Sequence, residues 1–241
     1  MAFPMNKKRF YPAGLVGLLV LALLLTAAPN FSATMATVAF VSKVVQDVTK
    51  KAGSTDWAKA QKGDRLASGD EVKTGEKSIA VVKFMDNSIL RIREKAELKV
   101  QGEMAGGAFS KTVLVNQGQV GFEVQKRENE KFTFTSPTSV ASIRGTKGML
   151  ETQSSGDEVV VTEGIVNLLN LISNNQVNVV AGQTGFSRPD GTINSQPSTP
   201  QERDRALNAL RAGDDSRQNE LRIELRDPQG NNRELKIRYR D

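Results

Sequence analysis

From Val38 to Ser187 apolar and polar residues alternate with a period of two. Leu90 and Ile92 alternate with Arg91 and Arg93, Leu98 and Val100 flank Lys99, and Val120, Phe122 and Val124 alternate with Gly121, Glu123 and Gln125. Phe132 with Phe134, Val159 with Val161, and Val177 with Val179 repeat the pattern. Successive side chains of an extended chain point to opposite faces, so this alternation predicts half-buried strands. Turn-forming runs separate them: QKGD, SGDE, KTGEKS, MDNS, MAGGA, NQG, SSGD, TEG and SNNQ. Short strands with turns at this spacing predict an all-β sandwich, barrel or solenoid. Roughly 150 residues can close one core and stand as a domain.

The pattern changes after Ser187. Pro189, Gly191 and Pro197 interrupt residues 188–199, which are expected to form a linker. A short helix is expected over 200–213. Thr199 is its N-cap, Pro200 its first residue and Glu202 the partner in a Thr-x-x-Glu capping box, with Gly213 ending it. Its apolar stripe is thin, only Ala206, Leu207, Ala209 and Leu210, which predicts weak docking or a bridging role. Residues 214–241 return to period two. Leu221, Ile223 and Leu225, then Leu235, Ile237 and Tyr239, define a hairpin closed by Asp227-Pro228-Gln229-Gly230-Asn231-Asn232. A lone hairpin is marginal in water, so its apolar face is expected to cover something.

The first 36 residues differ again. Lys7, Lys8 and Arg9 precede the apolar run Ala13 to Leu25, and small residues follow up to Thr34-Met35-Ala36. This is the layout of a secretory signal peptide, or of an N-terminal anchor if it is not cleaved. The rest is expected in the periplasm or outside the cell, with anchoring in the inner membrane as the alternative.

Composition narrows the chemistry. The chain has no Cys and no His, which removes thiol nucleophiles, disulfides, imidazole bases and zinc sites built on either. The formal charge of +6 falls to +3 once Lys7, Lys8 and Arg9 are set aside, and bases and acids interleave along the remainder. A concentrated basic face for nucleic acid is therefore not expected. No cofactor, metal or small-molecule substrate is expected either.

Several motifs then fall into a recognisable order. Gly69-Asp70, Thr74-Gly75 and the turn Asp86-Asn87-Ser88 lie within GDRLASGDEVKTGEKSIAVVKFMDNSILRI. Further on, FTFTSPTSVASIRGTKGMLE places Ser136-Pro137 before an apolar run and Arg144-Gly145-Thr146, and VVVTEGIVNL and VVAGQTGFS follow. This succession resembles the FecR-type domain, the periplasmic module of ferric-citrate signalling regulators, over residues 37–187. The turn departs from the family's usual Asp-Gly-Ser by Asn87, which tolerates the left-handed backbone. The resemblance implies a β-solenoid-like or sandwich body without an active site. In the regulators a cytoplasmic domain meets a sigma factor, and the periplasmic part meets a receptor. Here about a dozen residues precede the apolar run, so direct action on a sigma factor is not expected.

The candidate sites follow. Arg144-Gly145-Thr146-Lys147-Gly148 carries cations on a glycine-rich turn, but it lacks the spacing and the following helix of a phosphate loop. A bend is expected, with Arg144 tying neighbouring carbonyls or a carboxylate. Asp64, Asp70, Glu71 and Asp86 are expected to cap turns rather than hold calcium. Trp57 is expected in the core. Arg222, Arg226, Lys236, Arg238 and Arg240 on the hairpin form the candidate partner surface. The functional expectation is an exported, non-enzymatic module that binds an envelope protein or assists signal transduction. The alternative is a module for surface polysaccharide or peptidoglycan.

Overall fold

The computed structural model describes residues 37–105, 108–128, 130–214, 219–226 and 232–239. The first half of the body runs through β1 (Thr37–Val45), β2 (Val48–Lys51), β3 (Ala58–Lys59), β4 (Arg65–Ala67), β5 (Glu71–Thr74), β6 (Ile79–Phe84), β7 (Ile89–Ile92) and β8 (Glu97–Ala105). A long central strand, β9 (Ala108–Val124), follows. The second half adds β10 (Glu130–Thr135), β11 (Ser139–Ile143), β12 (Thr146–Gln153), β13 (Gly156–Glu163), β14 (Ile165–Asn170), β15 (Gln176–Val180), β16 (Gln183–Ser187) and β17 (Ile193–Pro197).

These strands form two layers that share β9. The front layer has the order β4-β1-β6-β7-β9-β12-β13-β16-β17. The back layer has the order β3-β2-β5-β8-β9-β10-β11-β14-β15. Every pairing is antiparallel except β9 with β10. The start of β9 pairs in the back layer, and from Gly118 onward it pairs in the front. The NQG segment, expected as a turn, is thus a bend inside one strand. The all-β expectation holds, and the architecture is a sandwich whose chain repeatedly crosses from one layer to the other.

The period-two residues meet between the layers. Phe84 of the front packs edge-on against Phe132 of the back, with centroids 5.1 Å apart. Phe122 of the front lies 5.3 Å from Phe134 of the back. Leu66, Leu90, Ile92, Leu98, Val159 and Leu168 complete one buried cluster. Each such side chain contributes about 1.5–3 kcal/mol on leaving water.

The expected linker over 188–199 is only partly one. Ile193–Pro197 pairs with β16 as an edge strand. Its side chains are largely exposed, so backbone hydrogen bonds hold it and no apolar periodicity reveals it. The helix α1 (Pro200–Leu210) has the expected capping box between Thr199 and Glu202. It ends at Leu210, ahead of the expected boundary at 213, and a turn leads on to Gly213.

Weak docking of α1 is corrected by the structure. The helix lies on the outer side of the front layer, across β9, β12 and β13. Ala206 and Ala209 are fully buried there against Met149 and Val160. A Cβ on Gly121 would stand 2.5 Å from the carbonyl oxygen of Ala209. Small residues on both sides make this contact close; a thin stripe here means a short distance.

The strands β18 (Asn219–Arg226) and β19 (Asn232–Tyr239) form a two-stranded sheet with Leu221 opposite Ile237 and Ile223 opposite Leu235. Residues 1–36, with the expected export segment, lie outside the described residues. Among the described residues no helix is long and apolar enough to cross a membrane.

Candidate functional site

Three of the motifs singled out in the sequence sit where the chain changes layer. Gly69-Asp70 joins β4 in front to β5 behind. Asp70 accepts hydrogen bonds from the backbone N–H of Ala67 at 2.9 Å and of Gly53 at 3.2 Å. Thr74-Gly75 returns the chain to the front. The Thr74 hydroxyl donates to the carbonyl of Arg93 at 2.6 Å and accepts from the N–H of Ala96 at 3.0 Å. Gly145-Thr146 joins β11 behind to β12 in front. Gly145 adopts φ +64, a conformation costly for residues with a Cβ. The buried Thr146 hydroxyl donates to the Ile165 carbonyl at 2.8 Å and accepts from its N–H at 3.3 Å. All six residues therefore brace crossings. Asp64 likewise accepts from the N–H of Gln61 at 2.8 Å.

The Asp86-Asn87-Ser88 turn closes on a buried cation. Asn87 adopts φ +71, the left-handed region that Asn tolerates. Asp86 accepts from the Ser88 N–H at 3.0 Å, from the Ser88 hydroxyl at 2.9 Å and from Lys111 Nζ at 2.8 Å. Lys111 Nζ also donates to Glu130 at 2.5 Å. Burial pushes the Asp86 carboxyl up, but Lys111 and the two Ser88 donors outweigh it and hold the group below its ordinary value. The sequence reading missed Lys111, although it stands in phase with Val113 and Val115, on the inward face of β9.

Asp157 is a second buried carboxylate in phase with the inward Val159 and Val161. It accepts from the hydroxyls of Ser136, Thr138 and Ser139. The SPTS stretch is thus a hydroxyl cradle that pins the β10–β11 turn to β13. These clusters lie inside the body and fix its geometry. Among the described residues no group of three or more acids gathers to hold a metal ion.

Two expectations about side chains are corrected. Trp57 is 39% exposed, with Lys73 Nζ 5.6 Å from its ring centroid, and so is no core plug. It stands beside the short edge strand β3, where no second layer reaches over it. Arg144 is exposed and has no hydrogen-bond or ion-pair partner for its guanidinium among the described residues. The bend is held by Gly145 and Thr146 instead, because alternation along β11 turns residue 144 outward.

Two outer faces remain. On the front layer α1 is clamped by charge. Arg205 donates to Glu151 at 2.7 Å and to Glu158 at 2.5 Å. Arg91, 10% exposed, donates to Glu123 at 2.5 Å and to Asp214 at 3.2 Å, tying down the segment after the helix. The back layer carries an open groove of about 860 Å³ lined by β10, β11 and β14, with Lys131, Arg144, Ile165 and Asn167 on its floor and rim. Ile165, 54% exposed, pairs across the ladder with Val180, 39% exposed. Asn167 donates to Asn178 at 3.0 Å beside them.

Of the expected hairpin surface, Arg222 stands opposite Lys236 in the β18–β19 register, Arg238 opposite Glu220 and Arg226 opposite Asn232. Arg240 lies outside the described residues.

Comparison with known proteins shows what part of this body is similar to. Residues 70–167 match the family model described as FecR protein. That stretch is similar to the FecR domain. The matched segment lies within the two layers, which begin at Thr37 and end at Pro197. Two crystal structures of a provisionally assigned anti-sigma factor from Parabacteroides distasonis align with it at 13% and 14% identity. Each alignment covers 66% of this chain, and 70% and 68% of those chains, with TM-scores of 0.49 and 0.48. None of the curated proteins matches the chain.

Proposed function

We propose that this protein is an exported, non-enzymatic FecR-domain module that works in signal transduction by binding another protein at the cell envelope. The FecR match over residues 70–167 carries the proposal. The signal-peptide-like segment of residues 1–36 supports export to the periplasm or beyond, with an uncleaved anchor as the variant form. The buried polar clusters at Asp86 and Asp157 fit the non-enzymatic reading, since both carboxylates brace turns inside the body. The basic residues of the hairpin, Arg222, Arg226, Lys236, Arg238 and Arg240, would add attraction for an acidic partner.

Crosslinking of the full chain in envelope extracts tests this. The expected result is one protein recovered repeatedly, with weaker recovery after deletion of residues 214–241. Recovery of no protein at all would overturn it.

The exposed Trp57 favours a second reading, a module for surface polysaccharide or peptidoglycan, because an accessible ring can stack on a sugar. Co-sedimentation with purified wall material, lost in Trp57→Ala, would support that reading in place of the first.

A further inference from the structure

We infer that the outer face of the back layer, over β10, β11, β14 and β15, is a docking surface for an extended protein segment whose surface-facing residues, every second one, are acidic at one end and apolar at the other. The inference rests on the protein-binding role proposed above and names the surface and the chemistry of the partner.

The register of the back layer aligns outward residues in rows. Phe132 pairs with Ile143 and Ile143 with Val166, so one step further along Lys131 stands beside Arg144 and Arg144 beside Ile165. Ile165 pairs with Val180. One row therefore reads two cations followed by two exposed aliphatic residues. The next row, through Asn167 and Asn178, is uncharged and able to hydrogen bond.

The charge on this face is not balanced among the described residues. Lys131 and Arg144 have no ion-pair partner among the described residues, and Lys126 packs beside Gly145 at the same end. Of the acids lining the groove, Glu130 is engaged by the buried Lys111 and only Glu128 stands apart. A negatively charged occupant complements this end, and apolar groups two residues along it would reach Ile165 and Val180.

Area decides between kinds of occupant. Four strands spaced about 4.8 Å apart, over five residues of about 3.3 Å each, present roughly 320 Å². A stable protein–protein contact buries about 800 Å² per partner, so this face alone does not sustain a homodimer. It matches a short extended segment. The hairpin of a second copy is disfavoured as well, because its two strands hold five bases against three acids and would meet Lys131 and Arg144 with like charge.

The test uses the full mature chain and two fluorescein-labelled ten-residue peptides with Ser at every second position, the other positions being Glu in the first half and Leu in the second in one peptide, and Lys then Leu in the other. The expected result is anisotropy-detected binding of the acidic peptide alone, with NMR shift changes at Lys131, Arg144 and Ile165. Binding should fall at least tenfold in the double variant Lys131→Glu, Arg144→Glu and in Ile165→Asp, each with an unchanged melting temperature. Equal binding of the two peptides, no binding of the acidic one, shift changes on another face, or undiminished binding by the double variant would each overturn the inference. A crosslinked envelope protein recovered equally well with the double variant would leave the protein-binding role standing and remove this face from it.

Discussion

The two outer faces of the sandwich are built from similar strands and have opposite fates. The front face carries Glu151, Glu158 and Glu123, and every one of these acids is answered by an arginine, Arg205 or Arg91. It also carries Gly121 and Met149, on which two alanines of α1 settle. The back face over β10, β11, β14 and β15 carries Lys131 and Arg144 without ion-pair partners among the described residues and leaves Ile165 and Val180 in water. The front face is complementary to a segment of its own chain; the back face meets no such segment among the described residues. Covered and open faces therefore differ in whether the charges and small residues find their match within the same chain.

The largest expected effect falls on what the two faces share. Lys111→Ala would leave Asp86 and Glu130 without their cation. Breaking a buried pair by removing one partner costs about 3–5 kcal/mol. Urea unfolding should show that loss, with both layers melting together. Separate melting of the layers would mean that they do not depend on a common core.

Gly121→Leu should strike the front face alone. The new side chain meets the backbone of Ala209, and overpacking of this kind costs about 1–3 kcal/mol. Circular dichroism should lose its small helical signal while the sheet signal persists. An unchanged helix would show that the close fit is not what holds α1.

Arg205→Ala comes next. Its guanidinium is partly exposed, so loss of the Glu151 and Glu158 pairs should cost about 1 kcal/mol or less, and less still at high salt. Acid should act on the same helix. Burial raises the Glu202 carboxyl, but hydrogen bonds from Thr199 and Thr184, together with Arg205, hold it below its ordinary 4.5. A depressed carboxyl contributes stability above its unfolded value and loses it as pH falls through the folded one. Helical signal should therefore decline below that range, and the decline should vanish in Glu202→Gln.

The smallest effect is expected on the open face. Arg144→Glu should change stability by no more than about 0.5 kcal/mol, as exposed substitutions do. A larger loss would show that Arg144 has a structural partner and that the face is not open.

Much of the body could be read from the sequence because its signal is local. Period two placed Phe122, Phe132 and Phe134 inside, and the Thr199–Glu202 box marked the start of α1. The turn acids Asp64, Asp70 and Asp86 cap backbone N–H groups as expected. Other features were legible in principle but passed over: Lys111 and Asp157 each interrupt an inward row of valines. The strand β17 was not legible, since a polar edge strand is held by backbone hydrogen bonds that side-chain pattern does not encode. The position of Trp57 was also out of reach, because burial depends on whether a second layer extends over it.

The sequence by itself determined which residues extend, which turn and which face inward, because these follow from side-chain alternation and from the backbone tolerance of Gly, Asn and Asp. Only the tertiary structure decided that β9 serves both layers, that a helix with a thin alanine stripe packs closely on Gly121, and that Lys131, Arg144, Ile165 and Val180 stand in one row. Those outcomes depend on which strands become neighbours. Residues far apart in the chain meet only through that pairing, so no local pattern announces them.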